Sequence, residues 1–596
     1  MIELTINGKT VQAPEGSTIL QAAELAGIKI PSLCKYKNIH AVGSCRVCVV
    51  EVEGARNLQA SCVVKAAPGM VVHTNSARVR DARRIIYDLL ISDHPKECMS
   101  CERNRSCELQ ELGYTLGIGE TKMTGQHREK LLDISPSITR DTTKCVLCRR
   151  CVTVCRDIQK VGAISAQNRG FNSVVSPTLG LSLDATNCAM CGQCTKVCPT
   201  GALTETSSTE LVWKAIENPE LKVIVQTAPA VRAALGEPFG LPIGTPVTGK
   251  MVAALRQMGF DEVFDTNFGA DLTIMEEGTE LLQRLTAAVS GEGAVLPIIT
   301  SCSPGWIKHC EHAWPDQLTH LSSCKSPHMM QGAVIKSYYA EKLGVDPRSL
   351  YVVSVMPCTA KKYEIQRPEM RNGDIPDVDA VLTTRELARM IKTAGIDFAS
   401  LEDEAFDDPM GISSGAGDIF GVTGGVMEAA LRTVYFIVTG RVLPFEKLRV
   451  EPVRGFEQVK SVEIKFDNVL PDYSAFEGVS VKIAVTSGLE GADILMKQIR
   501  EGVSPYHFIE IMGCSGGCIA GGGQPRIDME EYRELRAGAL YSEDERKTMR
   551  MSHENPAVAQ LYAEYLGSPC GEKSHHLLHT TYTPRGQFNE LLELSV

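Results

Sequence analysis

Twenty-two cysteines stand in this 596-residue sequence, fifteen of them before residue 200. Two runs share one spacing: Cys145-x2-Cys148-x2-Cys151-x3-Cys155, then Cys188-x2-Cys191-x2-Cys194-x3-Cys198 followed by Pro199. Thiolates spaced in this way ligate cubane iron–sulfur clusters, and the fourth cysteine of each run reaches across to the cluster of the other. One 4Fe-4S cluster is therefore assigned to Cys145, Cys148, Cys151 and Cys198, and a second to Cys188, Cys191, Cys194 and Cys155. Two further sets precede them. Cys34, Cys45, Cys48 and Cys62 have the spacing C-x10-C-x2-C-x13-C, and His94, Cys98, Cys101 and Cys107 the spacing H-x3-C-x2-C-x5-C. Four cysteines, or three with a histidine, also suit tetrahedral zinc. His94 also has a plainer reading, as a cation at a helix C-terminus.

In its surroundings the first set resembles the 2Fe-2S domain at the front of complex I-type large subunits, and the His94 set resembles the histidine-ligated 4Fe-4S site of the same subunits. These resemblances imply one 2Fe-2S cluster on Cys34, Cys45, Cys48 and Cys62 and a 4Fe-4S cluster on His94, Cys98, Cys101 and Cys107. Four clusters in the front 200 residues are a wire, which implies a redox reaction at one end and an electron partner at the other.

The rear of the chain carries three further segments: Thr300-Ser301-Cys302-Ser303-Pro304-Gly305-Trp306, Met356-Pro357-Cys358-Thr359-Ala360-Lys361-Lys362-Tyr363-Glu364, and Glu510 to Pro525, in which Cys514 and Cys518 lie among glycines. Each follows an apolar run that reads as a strand. Buried structural thiols are the bland alternative. It accounts poorly for a glycine-rich loop in which backbone must approach something closely.

With these segments the sequence resembles the iron-only (FeFe) hydrogenases over essentially its whole length, and Phe420-Gly421-Val422-Thr423-Gly424-Gly425-Val426-Met427-Glu428 matches another stretch of that family. The resemblance implies an H-cluster, meaning a 4Fe-4S cubane joined through a cysteine thiolate to a two-iron unit with CO, cyanide and an azadithiolate bridge. Cys358, Cys514 and Cys518 match cubane ligands, with Cys518 as the bridging thiolate. Lys361 matches the residue that holds a cyanide, a role suited to an ammonium point charge, and Glu364 is placed to pair with it. Met356, Met512 and Phe420 match pocket walls, and Ala228-Pro229-Ala230 the loop over the second cyanide, where the family often has serine last.

The departure from the family is at Cys302-Ser303, where two adjacent cysteines are usual, the first a proton relay and the second a cubane ligand. Register places Cys302 at the relay and Ser303 at the ligand, although serine is a hard donor and a poor cluster ligand. Either Ser303 ligates as an alkoxide or a shifted loop lets Cys302 ligate. Beyond Cys302 the resemblance places Glu277, Ser322, Glu280 and Arg284 on the proton route. Glu277, Glu280 and Arg284 are spaced i, i+3 and i+7, one face of a helix; without the family match they read as a solvated acidic face. Cys310, Cys324 and Cys570 receive no metal.

The elements that must position these groups follow from pattern. Residues 1–77 read as a β-grasp 2Fe-2S domain, with a hairpin at Asn7-Gly8 and a helix over 18–26. Residues 78–125 form the His-ligated 4Fe-4S module, opened by an amphipathic helix over 78–92 with Val79, Ile85, Ile86, Leu89 and Leu90 near one face. The two-cluster ferredoxin domain spans 126–210. Residues 211–596 form a large α/β H-cluster domain of two lobes, with strands at 223–225, 294–299, 351–355, 482–485 and 508–511. The whole is an α+β multidomain chain. In open α/β sheets ligands gather beyond the carboxyl ends of strands.

Apolar residues are 43% and charged residues 22% of the chain, which excludes wholesale disorder. A net charge of −11 opposes nucleic-acid binding. The sequence has no membrane-length apolar run, no signal peptide and no dinucleotide fingerprint, and a cytoplasmic location is expected. The expected activity is reversible 2H⁺ + 2e⁻ ⇌ H₂. Electrons would run to ferredoxin or to flavin- or NAD(P)-binding partner subunits, and 574–580 looks most like NAD(P)-linked enzymes. Maturation proteins would be required. The rivals are a slow hydrogen sensor, suggested by the Cys302-Ser303 change, and an electron-transfer subunit that never acquires the two-iron unit.

Overall fold

A computed structural model of the chain describes residues 1–36, 41–127, 129, 131–527, 529 and 531–586. Contacts divide it into two compact units. The first comprises Met1–Ile158, Gly162–Thr186 and Gln193–Glu205, and the second Gln159–Val161, Asn187–Gly192 and Thr206–Val596.

The first unit opens with β1 (Ile2–Ile6) and β2 (Lys9–Ala13), antiparallel across Asn7-Gly8. Both turn residues take positive φ, as a tight hairpin demands. Helix α1 (Ile19–Leu25) starts with a capping box between Thr18 and Gln21. Strands β3 (Val49–Val52), β4 (Gln59–Ala60) and β5 (Val71–His73) complete a sheet of order β2-β1-β5-β3-β4. Helix α2 (Ala77–Ser92) buries Val79, Arg83 and Tyr87. The apolar face expected to include Ile85 and Leu89 is corrected here, because these are 52% and 57% exposed. The cause is Arg83, whose guanidinium donates to the carbonyls of Val47 and Val49 and so sets which face meets the sheet. Helix α3 (Glu108–Thr115) follows Cys107. The antiparallel strands β6 (Leu132–Ile134), β7 (Ile138–Asp141) and β8 (Leu203–Glu205) form a small sheet beside the ferredoxin-type cysteines.

The second unit is built on two four-stranded sheets. Strands β9 (Lys222–Thr227) and β10 (Glu262–Asp265) belong to the first, and β11 (Ile298–Ile299) to the second. Strands β12 (Leu350–Met356) and β13 (Ala380–Thr383) complete the first sheet in the order β10-β9-β12-β13, parallel throughout. Strands β14 (Val459–Lys465), β15 (Ser480–Ser487) and β16 (Phe508–Met512) complete the second in the order β11-β16-β15-β14, with β14 alone antiparallel. The strand expected over 294–299 shrinks to its last two residues. Pro297 has no N–H to give a ladder, and pairing begins where the Ile298 N–H donates to the His507 carbonyl.

Helix α4 (Thr266–Ser290) is buried on most sides, and Glu276, Glu277 and Glu280 are buried with it. Around the sheets lie α5 (Pro304–Ala313), α6 (Pro327–Val334), α7 (Ala360–Glu364), α8 (Gly425–Thr439), α9 (Tyr532–Arg546) and α10 (Glu572–Leu578). No helix among the described residues is long and apolar enough to cross a membrane.

A buried ionic network pins α8 to α9. Arg432 donates to Glu428 and, through two nitrogens, to Asp544, and all three side chains are at most 1% exposed. Removing one member strands buried charge, which costs about 3–5 kcal/mol. Arg432→Leu is accordingly expected to bring forward the guanidinium midpoint of the second unit's circular dichroism. An unchanged midpoint would mean that Arg454 on Glu428 and Arg550 on Asp544 suffice to hold the two carboxylates.

Candidate active site and cluster-binding residues

The front cysteines are placed for clusters. The Cys34 thiol hydrogen-bonds those of Cys45 and Cys62, and the Cys48 thiol that of Cys62, so four sulfurs converge in one buried spot. His94 Nδ1 lies 2.8 Å from the Pro95 carbonyl, while its Nε2 is buried without a partner. The ring therefore donates from Nδ1 and leaves the Nε2 lone pair for a metal. Burial lowers the His94 pKa, which favours the neutral, ligating form. Cys145, Cys148, Cys151 and Cys198 line one cavity, the exchange of fourth cysteines expected from spacing. Of the second ferredoxin-type set, Cys155 and Cys194 belong to the first unit and Cys188 and Cys191 to the second.

In the second unit Cys302 and Ser303 follow β11, Cys358 follows β12, Cys514 follows β16, and Ala228 and Pro229 follow β9. All four strands run parallel to a neighbour and deliver these residues at their carboxyl ends. Burial raises the Cys358 thiol pKa, and the nearby Cys514 and Cys518 raise it further. Cys518 is pushed up to about 12 by burial and by Cys514, with Lys361 opposing. Three thiols thus share one dry pocket.

The glycine-rich loop approaches other backbone. A Cβ on Gly521 would lie 2.3 Å from the Pro357 carbonyl oxygen, and the Gly523 N–H donates to that same oxygen. A Cβ on Gly517 would lie 2.7 Å from the Thr423 nitrogen. The loops of Cys358 and Cys518 are therefore locked together. Thr359 donates to the Met190 carbonyl, and Lys308 to that of Cys188, within the same unit.

Lys361 is buried at the centre of this pocket. Its ammonium donates to the Cys302 carbonyl at 3.1 Å and lies 2.8 Å from Glu364. Despite burial, Lys361 and His328 hold the Glu364 carboxyl down at about 2. Burial, with Lys361, lowers His328 to about 4, so that ring is neutral at physiological pH. Its Nε2 donates to Glu364 at 2.7 Å, and its Nδ1 accepts from Ser354 at 3.1 Å. Two of the three ammonium protons are engaged, which leaves one N–H for an acceptor in the pocket. Met356, Met512 and Ala228, buried at strand ends, and Phe420, buried at the end of the short helix Gly415–Ile419, supply apolar walls.

Cys302 and Ser303 diverge. Burial, then Glu277 and Cys518, raise the Cys302 thiol pKa, while Lys361 lowers it. The Ser303 hydroxyl instead accepts from the Gly513 N–H at 3.1 Å, one residue before Cys514. From Cys302 a chain of side chains runs outward. Glu277 hydrogen-bonds the Ser322 hydroxyl and the Ser301 backbone. Ser322 donates to Glu280 Oε2 at 2.9 Å, and Arg284 meets Glu280 Oε1 at 2.6 Å. The residues pass from Glu277 at 2% and Ser322 at 0% exposed to the Arg284 side chain at 20%.

Sequence reasoning missed three groups. His328 has no motif and acts through partners 26 and 36 residues away. Glu510, at about 7 through burial, accepts the Gly424 and Met427 N–H groups and anchors the start of α8. A cluster about His579 joins residues some 300 apart. The residues present fit the groups that the resemblance implies: convergent thiols, an orphaned imidazole nitrogen, and a dry thiol pocket with one buried ammonium.

Burial, with Glu280 nearby, pushes Glu277 up to about 8. The carboxyl is expected to be protonated below that pH and ionised above it. Infrared difference spectra should show a protonated-carboxyl band that fades through pH 8 and is missing in Glu277→Gln. A band that persists well above pH 8, or that survives the substitution, would refute the assignment.

Comparison with known proteins agrees with this geometry. Residues 221–522 match the family described as iron only hydrogenase large subunit, C-terminal domain, and 530–585 match iron hydrogenase small subunit. Residues 1–77 match a 2Fe-2S iron-sulfur cluster binding domain, 83–122 the NADH-ubiquinone oxidoreductase-G iron-sulfur binding region, and 144–202 a 4Fe-4S dicluster domain. The chain is 52% identical to NADP-reducing hydrogenase subunit HndD of Solidesulfovibrio fructosivorans, over 98% of this chain and 99% of that one. It is 41% identical to iron hydrogenase 1 of Clostridium pasteurianum, over 98% and 100%. A solved FeFe-hydrogenase, a variant of HydA1 from Chlamydomonas reinhardtii, superposes with a TM-score of 0.57 at 42% identity, covering 64% of this chain and 100% of that one. With its pocket of thiols at parallel strand ends and its front modules of cluster-binding cysteines, the chain belongs to the iron-only hydrogenase family.

Proposed function

We propose that this chain interconverts H₂ with protons and electrons and that Cys302, Glu277, Ser322, Glu280 and Arg284 carry the proton between pocket and solvent. The observation that carries the reading is the hydrogen-bonded run Glu277, Ser322, Glu280 and Arg284, whose inner end, Glu277, acts electrostatically on the Cys302 thiol. The H-cluster, when bound, supplies the redox and Lewis-acid chemistry at which H₂ is formed or split. Cys358, Cys514 and Cys518 hold its cubane, and Lys361 offers its remaining N–H to an anionic acceptor in the pocket. The thiol of Cys302, raised by burial, keeps its proton at rest and exchanges it with Glu277. Glu277, at about 8, sits near physiological pH, where a relay group works best.

Ser303 completes the cubane in this reading. Its oxygen lies beside Gly513, next to Cys514, and the Gly513 N–H stabilises negative charge on it. Cys302 lies instead among Glu277, Cys518 and Lys361, which suits a relay. Electrons enter through the strip that bears Cys188 and Cys191, which Thr359 ties to the loop of Cys358. The name of the 52% identical relative supports an NAD(P)-linked partner as the electron terminus. A cytoplasmic location, dependence on maturation proteins and exchange with ferredoxin belong to the same reading.

H₂/D⁺ exchange by anaerobically reconstituted protein, loaded with the two-iron cofactor, tests the activity without an electron partner. Rapid exchange is expected, and Glu277→Gln should slow it by about 10²-fold or more while CO and cyanide infrared bands persist. Negligible exchange with those bands present would shift the reading to a hydrogen sensor. Ser303→Cys replaces a hard oxygen by a soft sulfur and should raise the cubane midpoint potential in a redox titration. An unmoved midpoint would remove Ser303 from the ligand set.

A further inference from the structure

Beside the proton chain lies a group of buried ligand-type side chains, of which the proposed reaction uses Glu280 alone. Glu280, Cys324 and His579 are all buried, and one ligand atom from each lies within 4.8 Å of the others. Glu276, Cys570 and His579 form a second such group that shares the imidazole. Cys324 and Cys570 belong to none of the iron–sulfur sets.

The hydrogen bonds orient the ring. Glu276, with its side chain fully buried, lies 3.1 Å from His579 Nε2. It also accepts from Tyr562 at 2.5 Å and from the Cys570 N–H at 2.6 Å. An ionised carboxylate accepts only, so Nε2 carries the proton. In the neutral ring the lone pair then sits on Nδ1, which is 2.7 Å from the Ser323 hydroxyl. A carboxylate behind an imidazole in this manner is the arrangement that fixes metal-binding histidines. The Cys324 sulfur lies 3.9 Å from Glu280 Oε2. Bonds of about 2.0–2.3 Å at tetrahedral zinc place two ligands slightly closer than that, so a small contraction suffices.

We infer that Glu280, Cys324 and His579 form a site for a thiophilic divalent cation of the Zn²⁺ class, with Glu276 as the residue that positions His579. One sulfur, one nitrogen and one oxygen suit a borderline-soft ion and poorly suit Mg²⁺ or Ca²⁺. Binding displaces the Cys324 thiol proton to solvent and leaves a fourth position for water. The ligands come from both family-matched segments, Glu280 and Cys324 from 221–522 and His579 from 530–585. Cys324 and His579 are already paired by a β-bridge. The ion therefore fastens the C-terminal segment to the catalytic core.

The site also touches catalysis, a point that rests on the proposed role of Glu280. The oxygen nearest Cys324 is Oε2, the same atom that accepts from Ser322. A bound cation takes that oxygen from Ser322 and interrupts the proton chain.

The test uses anaerobic holoenzyme incubated with Zn²⁺ and desalted. About one zinc per chain should remain, with a single sulfur in its X-ray absorption shell, and H₂/D⁺ exchange should fall about tenfold or more. Cys324→Ser should lose the sulfur, and both Cys324→Ser and His579→Gln should lose retention and inhibition relative to their own zinc-free rates. Unchanged electron paramagnetic resonance of the accessory clusters verifies that each variant is folded. No retained zinc, a shell without sulfur, or retention unaltered by both substitutions would overturn the site. Zinc held by the parent and lost by the variants, without slowed exchange, would uphold the site and remove Glu280 from the proton chain.

Discussion

One buried positive charge organises the catalytic pocket. Lys361 enters a space otherwise furnished with thiols and carboxylates, and Glu364 lies 2.8 Å away to balance its charge. Its hydrogen bond to the Cys302 carbonyl joins the loop after β12, in one sheet, to the loop after β11, in the other. Glu364 is in turn held by a neutral His328 that is itself fixed by Ser354. The charge balance of the pocket and the docking of the two sheet ends thus depend on the same few contacts.

The proton chain obeys the opposite rule. For Glu277, burial outweighs the hydrogen bonds with Ser322 and Ser301 and leaves the carboxyl protonated at neutral pH. Glu280 has Arg284 at 2.6 Å and donors from Ser322 and Ser323. Two carboxyl groups three residues apart on α4 therefore face different surroundings, one dominated by burial and one held by a cation and several donors. That difference gives the chain an inner end that gives up a proton reluctantly and an outer end open to solvent.

The sequence made the cysteine sets legible because cluster ligation is largely local in sequence, and the spacing of Glu277, Glu280 and Arg284 placed them on one helical face. The hairpin at Asn7-Gly8 and the strands before Cys358 and Cys514 were legible for the same reason. What escaped depends on distant partners. The rotation of α2 is set by Arg83 reaching carbonyls 34 and 36 residues earlier, which no periodicity contains. His328 likewise bears no motif, Glu510 and His579 lie in segments that the sequence singles out for other reasons, and the roles of all three exist only once separate segments meet. The choice between Cys302 and Ser303 could be posed from register, but the neighbours that bear on it, Glu277 and Gly513, come from elsewhere in the chain.

The close approach of Gly521 to the Pro357 carbonyl, which accepts from Gly523, has a consequence for electron transfer. With no side chain between them, the loops bearing Cys358 and Cys518 cannot breathe independently. When charge arrives on a group held by both, the surrounding polypeptide has few soft coordinates along which to readjust. A stiff cradle would keep the reorganisation energy of a cluster held there small, so that its oxidation and reduction would meet nearly the same surroundings. That symmetry is what a reaction run in both directions requires.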